Sequence, residues 1–150
     1  MRYKYFIALL FLFAHLKAQP ITGEAKKLEF EKNRIIYSGD VKLTQGESVL
    51  RADKVIILLN EESKPAKLIA TGNVLYTEPG RKATADYAEY DLGKELILLK
   101  GSARVEDERN LLEAEEIVYD RAKGTLRARS EKERVRTLYI EEPQKSATPP

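Results

Sequence analysis

The chain has 150 residues, a third of them charged, a formal net charge of +2, one His and no Cys. That length suits one domain. The lack of Cys removes disulfides, thiol nucleophiles and Cys-based zinc sites, and the small net charge gives no ground for nucleic-acid binding.

Residues 1–18 read as an export signal. Arg2 and Lys4 precede an apolar run from Tyr5 to Leu16, and Lys17-Ala18 leads into Gln19-Pro20. A basic start, a short apolar middle and a small residue before a cut mark a secretory signal. The run falls short of the ~20 apolar residues that span a bilayer. Cleavage after Ala18 is expected, with an uncleaved anchor as the alternative. The segment holds three basic residues, no acid and His15, the only His of the chain. The remainder has 23 basic and 24 acidic residues, a net of −1. His-based triads and the usual zinc sites are excluded there. Carboxylate pairs remain formally open, but the acids are spread along the chain, so neither an enzyme nor a cofactor is expected.

Residues 19–140 are organised by one interval. Gly39, Gly72 and Gly101 are each followed thirteen residues later by Ala-acid: Ala52-Asp53, Ala85-Asp86 and Ala114-Glu115. Five residues beyond each Ala comes Ile57, Tyr90 or Tyr119. An interval kept without insertion predicts a repeated structural unit. The pattern opens with half a unit at Ala25, Leu28 and Phe30. Around each Gly the residues alternate as in a half-buried strand: Ile35, Tyr37, Gly39, Val41 and Leu43; Leu68, Ala70, Gly72, Val74 and Tyr76; Ile97, Leu99, Gly101, Ala103 and Val105. Ile36, Leu75 and Leu98 break the alternation on the outer parity. A Gly at one place in three strands predicts a bend, a bulge or a close backbone approach.

The second strand of each unit carries a slip. Leu50 and Ala52 share one parity, Val55 and Ile57 the other; Ala83, Ala85, Ala88 and Tyr90 repeat this, as do Leu112, Ala114, Ile117 and Tyr119. A slip of one turns the apolar set outward unless the strand carries an extra residue, as a β-bulge provides. Asp53, Asp86 and Glu115 are therefore expected at bulges or corners, one rung apart, rather than in a catalytic cluster. A last, degenerate copy has Ser130 in place of Gly, after Leu126 and Ala128, with the charged run Arg127 to Arg136 around it. That run is expected as a solvated strand face, or else as a contact for phosphorylated sugars or a partner. Turn signals stand at Gln45-Gly46, Asn60 to Pro65, Glu78-Pro79-Gly80, Leu92-Gly93 and Lys123-Gly124. No helix is expected, and residues 141–150, with three Pro, read as a disordered tail.

Tyr37-Ser38-Gly39-Asp40-Val41-Lys42-Leu43-Thr44-Gln45-Gly46 running on to Ala52-Asp53-Lys54-Val55, and Leu99-Lys100-Gly101-Ser102-Ala103 through Ile117-Val118-Tyr119, resemble the OstA-like family of lipopolysaccharide transport proteins. The resemblance spans roughly residues 21–140. It implies an all-β fold: a twisted, open antiparallel β-jellyroll, V-shaped in section, with an apolar interior groove. It also implies a periplasmic bridge that carries lipopolysaccharide, acyl chains inside, from the inner to the outer membrane. Such domains are implied to stack end to end. An inner-membrane LptC-like subunit would meet the N-terminal edge and an outer-membrane LptD-like translocon the C-terminal edge, with a head-to-tail homo-oligomer also open. An LptC-like anchored subunit and a secreted structural or adhesive β-repeat protein are the alternatives. The third unit departs from the family pattern with Ser-Ala for Asn-Val, and the fourth lacks the Gly.

Small residues on the inward parity fit either an ordinary sandwich core or a lined groove, and the residues alone leave both open. The resemblance favours a groove, with lipid-contact candidates Ile21, Leu28, Phe30, Ile35, Tyr37, Val41, Leu43, Leu50, Val55, Ile57, Val74, Tyr76, Tyr90, Ile97, Leu99, Val105, Ile117 and Tyr119. Partner-binding edges are expected at Ile21 to Phe30 and Val135 to Ile140, where unpaired strands template pairing with another chain.

Overall fold

The structure, a computed structural model, describes residues 20–139; the expected signal and the expected tail, with Gln19 and Ile140, lie outside the described residues. Ten strands follow one another with no helix among the described residues: β1 (Ile21–Glu24), β2 (Lys27–Glu31), β3 (Arg34–Gln45), β4 (Ser48–Leu59), β5 (Pro65–Glu78), β6 (Arg81–Asp91), β7 (Leu96–Asp107), β8 (Asn110–Asp120), β9 (Thr125–Arg129) and β10 (Arg136–Tyr139). All pair antiparallel in one open sheet. β1 and β2 lie end to end on β3, and β9 and β10 lie end to end on β8. The sheet therefore has eight rungs, the first and last each broken in the middle. The turns fall where Gly, Pro and Asn predict them. Two further turns have neither Gly nor Pro and were not among those expected: Lys32-Asn33, between β2 and β3, and Glu108-Arg109. At the latter the Asp107 carboxylate accepts from the Arg109 and Asn110 backbone N–H groups at 2.8 and 2.7 Å.

A line of corners crosses the six long strands. In β3 the step from Ser38 to Val41 faces the shorter step from Lys54 to Ala52, and the same mismatch recurs at Thr71/Val74 and Lys100/Ala103. The extra residue thus lies on the glycine strand, two residues opposite one acid. This corrects the expectation that the acid strand carries it. The parity slip is visible on the acid strand because inward Ala52 and Val55 lie three apart, whereas inward Tyr37 and Val41 on the glycine strand lie four apart and keep one parity. The motif after each Gly now has a cause. Gly39, Gly72 and Gly101 have φ of 83°, 78° and 79°, and Asp40, Asn73 and Ser102 follow at 48°, 48° and 46°. Two successive left-handed residues turn the strand, and Asn and Asp tolerate that region better than most L-residues.

The corners divide the sheet into two halves that face each other. The core joins them: Val41, Leu43, Leu50, Ala52, Val74, Tyr76, Ala83 and Ala85 from one half meet Val55, Ala70, Leu99 and Ile117 from the other. Val55 and Ala70 are fully buried. On the outer face Ile36 lies opposite Ile56, and Ile56 opposite Ile69. This aliphatic patch explains why the alternation breaks at Ile36, which is itself buried.

Candidate functional site

The inward face of the second half is apolar from one open edge to the other. One row of directly opposed residues runs Leu28, Tyr37, Val55, Ala70, Ala88, Leu99, Ile117, Ala128. Beside it runs a second: Phe30, Ile35, Ile57, Leu68, Tyr90, Ile97, Tyr119, Leu126. Eight rungs at about 4.8 Å spacing make each row roughly 34 Å long. The first half contributes Gly23, Leu43, Leu50, Tyr76, Ala83, Val105, Leu112 and Thr137 in another continuous row. Alanines at Ala52, Ala85, Ala103 and Ala114 line the corner and are buried.

The structure brings most of the expected lining residues onto these rows. Val41, Leu43, Leu50, Val55, Val74, Tyr76, Leu99, Val105 and Ile117 are buried in one cluster, and Ile97 and Tyr119 in a second beside Tyr90 and Leu126. Ile35, Tyr37, Ile57 and Tyr90 are half-buried nearer the strand ends. Ile21, Leu28 and Phe30 point the same way but lie on the broken first rung, where nothing covers them; Phe30 is 73% exposed. Leu68, Leu112 and Leu126 pack on the same interior and were absent from the expected lining. Their parity was readable: Leu68 stands at the same offset from its Gly as Ile35 and Ile97, and Leu112 at the same offset from its Ala as Leu50.

One lip of the interior is polar, which the sequence reading did not foresee. Continuing the inward parity beyond the apolar rows reaches Gln45, Ser48, Glu78, Arg81, Asp107 and Asn110. Gln45 lies opposite Ser48, Glu78 opposite Arg81, and Arg81 opposite Asp107. Gln45 and Ser48 are buried. Arg81 Nη1 lies 3.3 Å from Glu78 Oε1, on a side chain only 6% exposed. Burial pushes the Glu78 carboxyl up, with Arg81 opposing it. The Tyr76 hydroxyl, 3.5 Å from Glu78 Oε2, is pushed up to about 12, chiefly by burial.

The three acids of the repeat face three different corners. Asp53 lies against Gly72 and its carboxylate accepts from the Asn73 amide at 3.0 Å. Asp86 lies against Gly101. Glu115 takes the backbone N–H of Lys132 at 2.8 Å and of Glu133 at 3.1 Å, while its own N–H donates to Ser130 Oγ at 3.0 Å. These N–H groups hold its carboxyl below the usual range. The charged run Arg127 to Arg136 is thus no single strand face, as expected, but β9, a loop held by Glu115, and the start of β10. Among the described residues no group of three or more His, Cys, Asp or Glu could hold a metal ion.

Among the described residues both edges are unpaired. β1 and β2 pair only with β3, and β9 and β10 only with β8. The C-terminal edge therefore includes Thr125–Arg129, which the expected stretch omitted.

An open antiparallel sheet, bent at repeated Gly-X corners around an apolar interior, is an OstA-like β-jellyroll. The chain belongs to the LptA/(LptD N-terminal domain) LPS transport protein family, whose model matches residues 20–125. It is 29% identical over 129 residues to the lipopolysaccharide export system protein LptA of Haemophilus influenzae, covering 80% of this chain and 75% of that one. It is 28% identical over 113 residues to LptH of Pseudomonas aeruginosa, covering 69% of this chain and 65% of that one. A crystal structure of LptH, described as the LptA-homologous periplasmic component of the lipopolysaccharide transport device, matches the fold with a TM-score of 0.69. That match has 24% identity over 82% of this chain and 96% of the other.

Proposed function

We propose that this chain is a periplasmic, non-enzymatic carrier of lipopolysaccharide that forms part of a bridge between the two membranes. The observation that carries this reading is the pair of unbroken apolar rows joining one open edge to the other. An acyl chain gains about 0.8 kcal/mol per buried CH₂, so ten methylenes gain about 8 kcal/mol with no directional group required. A uniform path makes each step along it similar in energy, so lipid can be passed on rather than trapped. The export signal and the relatives' names support the compartment and the cargo.

The interior side chains bury one another, so acyl chains enter by separating the two halves. The half-buried Ile35, Ile57, Leu68 and Tyr90 form the lip at which this starts, and the polar row of Gln45, Ser48, Glu78 and Arg81 forms the opposite one. The N-terminal edge then takes the LptC-like inner-membrane subunit and the C-terminal edge the LptD-like translocon or another copy.

The test is mass spectrometry of lipids bound to the mature protein after export, with a photo-crosslinking residue at Ile57. Lipopolysaccharide cross-linked at Ile57 supports the reading. A protein that carries no lipid and gives no adduct at Ile57 overturns it in favour of a structural β-repeat protein.

A further inference from the structure

We propose that Arg121 is the head-group contact of this carrier: its guanidinium receives a phosphate on the sugar of a lipid whose acyl chains lie in the apolar rows. This rests on the carrier reading above and names the residue that reads the polar end of the cargo.

Position comes first. Two residues beyond the second apolar row, the inward parity reaches the rim of the second half: Asn33, Leu59, Ala66, Leu92, Glu95 and Arg121. Backbone bonds tie this rim in pairs. The Leu59 N–H donates to the Asn33 carbonyl at 2.7 Å, the Leu92 N–H to Ala66 at 2.9 Å and the Arg121 N–H to Glu95 at 3.0 Å. An amphiphile with its chains on the rows holds its polar end at the mouth, because burying an unpaired charge is too costly. The first four members of the rim offer that polar end no charge, and Arg121 is the one cation of this row.

Local packing then sets the guanidinium over the groove. Ile97 and Tyr119 are buried in a cluster of their own with Tyr90 and Leu126, whereas Ile35, Ile57 and Leu68 on the same row are half-buried. The half-buried Arg121 reaches back over that cluster. Burial pushes the Tyr90 hydroxyl up, and Arg121, hydrogen-bonded to it, opposes the shift. Burial also pushes Tyr119 up, and the charge of Arg121 again opposes it. A guanidinium carries five donors in a planar fork, more than one phenol can accept, and the fork matches a phosphate. Its aliphatic stem meanwhile covers the rings.

The turn that holds this place is strained. Glu95 has a φ of 53°, whereas Gly46, Gly80 and Gly124 take the left-handed place in three other turns. A Glu there is less favourable than a Gly, and strain of this kind collects at ligand clamps. The facing lip offers no rival anion site. Arg81 stands there between Glu78 and Asp107, one cation against two carboxylates, so an anionic head is steered to the Arg121 side.

The experiment compares two lipids on the full mature chain: the phosphorylated lipid A part of lipopolysaccharide, and the same molecule with its phosphates removed. Arg121→Gln should bind the phosphorylated form about tenfold to a hundredfold more weakly, the range for losing a charge-assisted hydrogen bond. It should bind the dephosphorylated form as the unaltered protein does. Arg121→Lys should recover part of the loss, since the charge returns without the fork. Lys100→Gln, which removes an exposed cation from the outer face, should change neither affinity. Equal loss for both lipids would make Arg121 a packing residue over Tyr90 and overturn the proposal, as would no loss for either. Inorganic phosphate alone should leave the nuclear magnetic resonance signal of the Arg121 side chain unmoved; a saturable shift would assign the site to small anions instead. An unaltered protein that binds neither lipid overturns the carrier reading itself. One that binds both equally keeps the carrier and removes the head-group contact.

Discussion

The carboxylate of Asp53 lies so close against Gly72 that no Cβ can be accommodated there, and the same carboxylate receives the amide of Asn73 at 3.0 Å. The corner is therefore held from both sides. A left-handed φ of 78° favours Gly, and the facing acid fills the space that a side chain would need. Gly72→Ala combines left-handed strain with a clash, and we expect a loss of about 2–4 kcal/mol in urea unfolding. Gly124→Ala, at φ 64° with nothing within 4 Å, should cost about 1 kcal/mol. Adding Asp53→Ala to Gly72→Ala should recover part of the loss, since the clash goes and the strain stays. Equal costs at the two glycines would contradict this account.

Glu115 gives the last rung its break, and its carboxyl is held low by backbone N–H groups of the loop it anchors. A carboxyl with a lowered folded pKa contributes stability above its unfolded value and loses it as pH falls. The contribution should fade as pH drops through and below 4.5. Protection of the Lys132 and Glu133 amides, measured against their intrinsic exchange rates, should fall in that range. Glu115→Gln should show fast exchange there at neutral pH and no further change in acid.

Tyr76 and Tyr87 are both pushed up to about 12, first by burial and then, for Tyr87, by its bond to Glu89 at 2.7 Å. For a raised phenol the contribution is complete below the unfolded value of 10 and is lost as pH rises from there toward 12. Absorbance titration should show these two tyrosines ionising late, or together with unfolding. Tyr87→Phe and Tyr76→Phe should each remove one late-titrating group. Ionisation of Tyr76 and Tyr87 near 10 in the folded protein would refute the prediction.

Interior variants should separate packing from cargo. Leu99→Ala opens a cavity in the buried core and should cost about 2–5 kcal/mol, so its effect on lipid cannot be read cleanly. Ile57→Asp sits at the half-buried lip, where a charge can reach water. It should leave the circular dichroism spectrum unchanged and abolish lipid co-purification. A folded Ile57→Asp that binds lipid normally would argue against entry at that lip.

Much of this was readable from spacing, because the fold is one unit repeated. Gly39, Gly72 and Gly101, each thirteen residues before an Ala-acid pair, mark every corner; alternation marks the inward face; Gly and Pro mark most turns. What escaped the sequence has physical reasons. The extra residue beside Gly39 escaped because inward Tyr37 and Val41 lie four apart, an even step that leaves the parity of their strand unchanged. The Glu108-Arg109 turn escaped because a carboxylate, Asp107, does what Gly does elsewhere. The polar lip escaped because Gln45, Glu78 and Asp107 look like ordinary strand ends until burial places them. The edge role of Thr125–Arg129 escaped because its charged outer positions suggested a solvated face.

The broken first and last rungs have a consequence for solubility. An exposed strand edge recruits any straight strand that meets it, and that is how fibrils grow. Here each edge offers only four or five consecutive residues before the chain turns, at Ala25-Lys26 on one side and at residues 130–135 on the other. A straight intruder can match one segment but not both. Only a surface with an interruption at the same height can match the full edge, so the kink works as a keyway that keeps a straight strand from seating along its whole length.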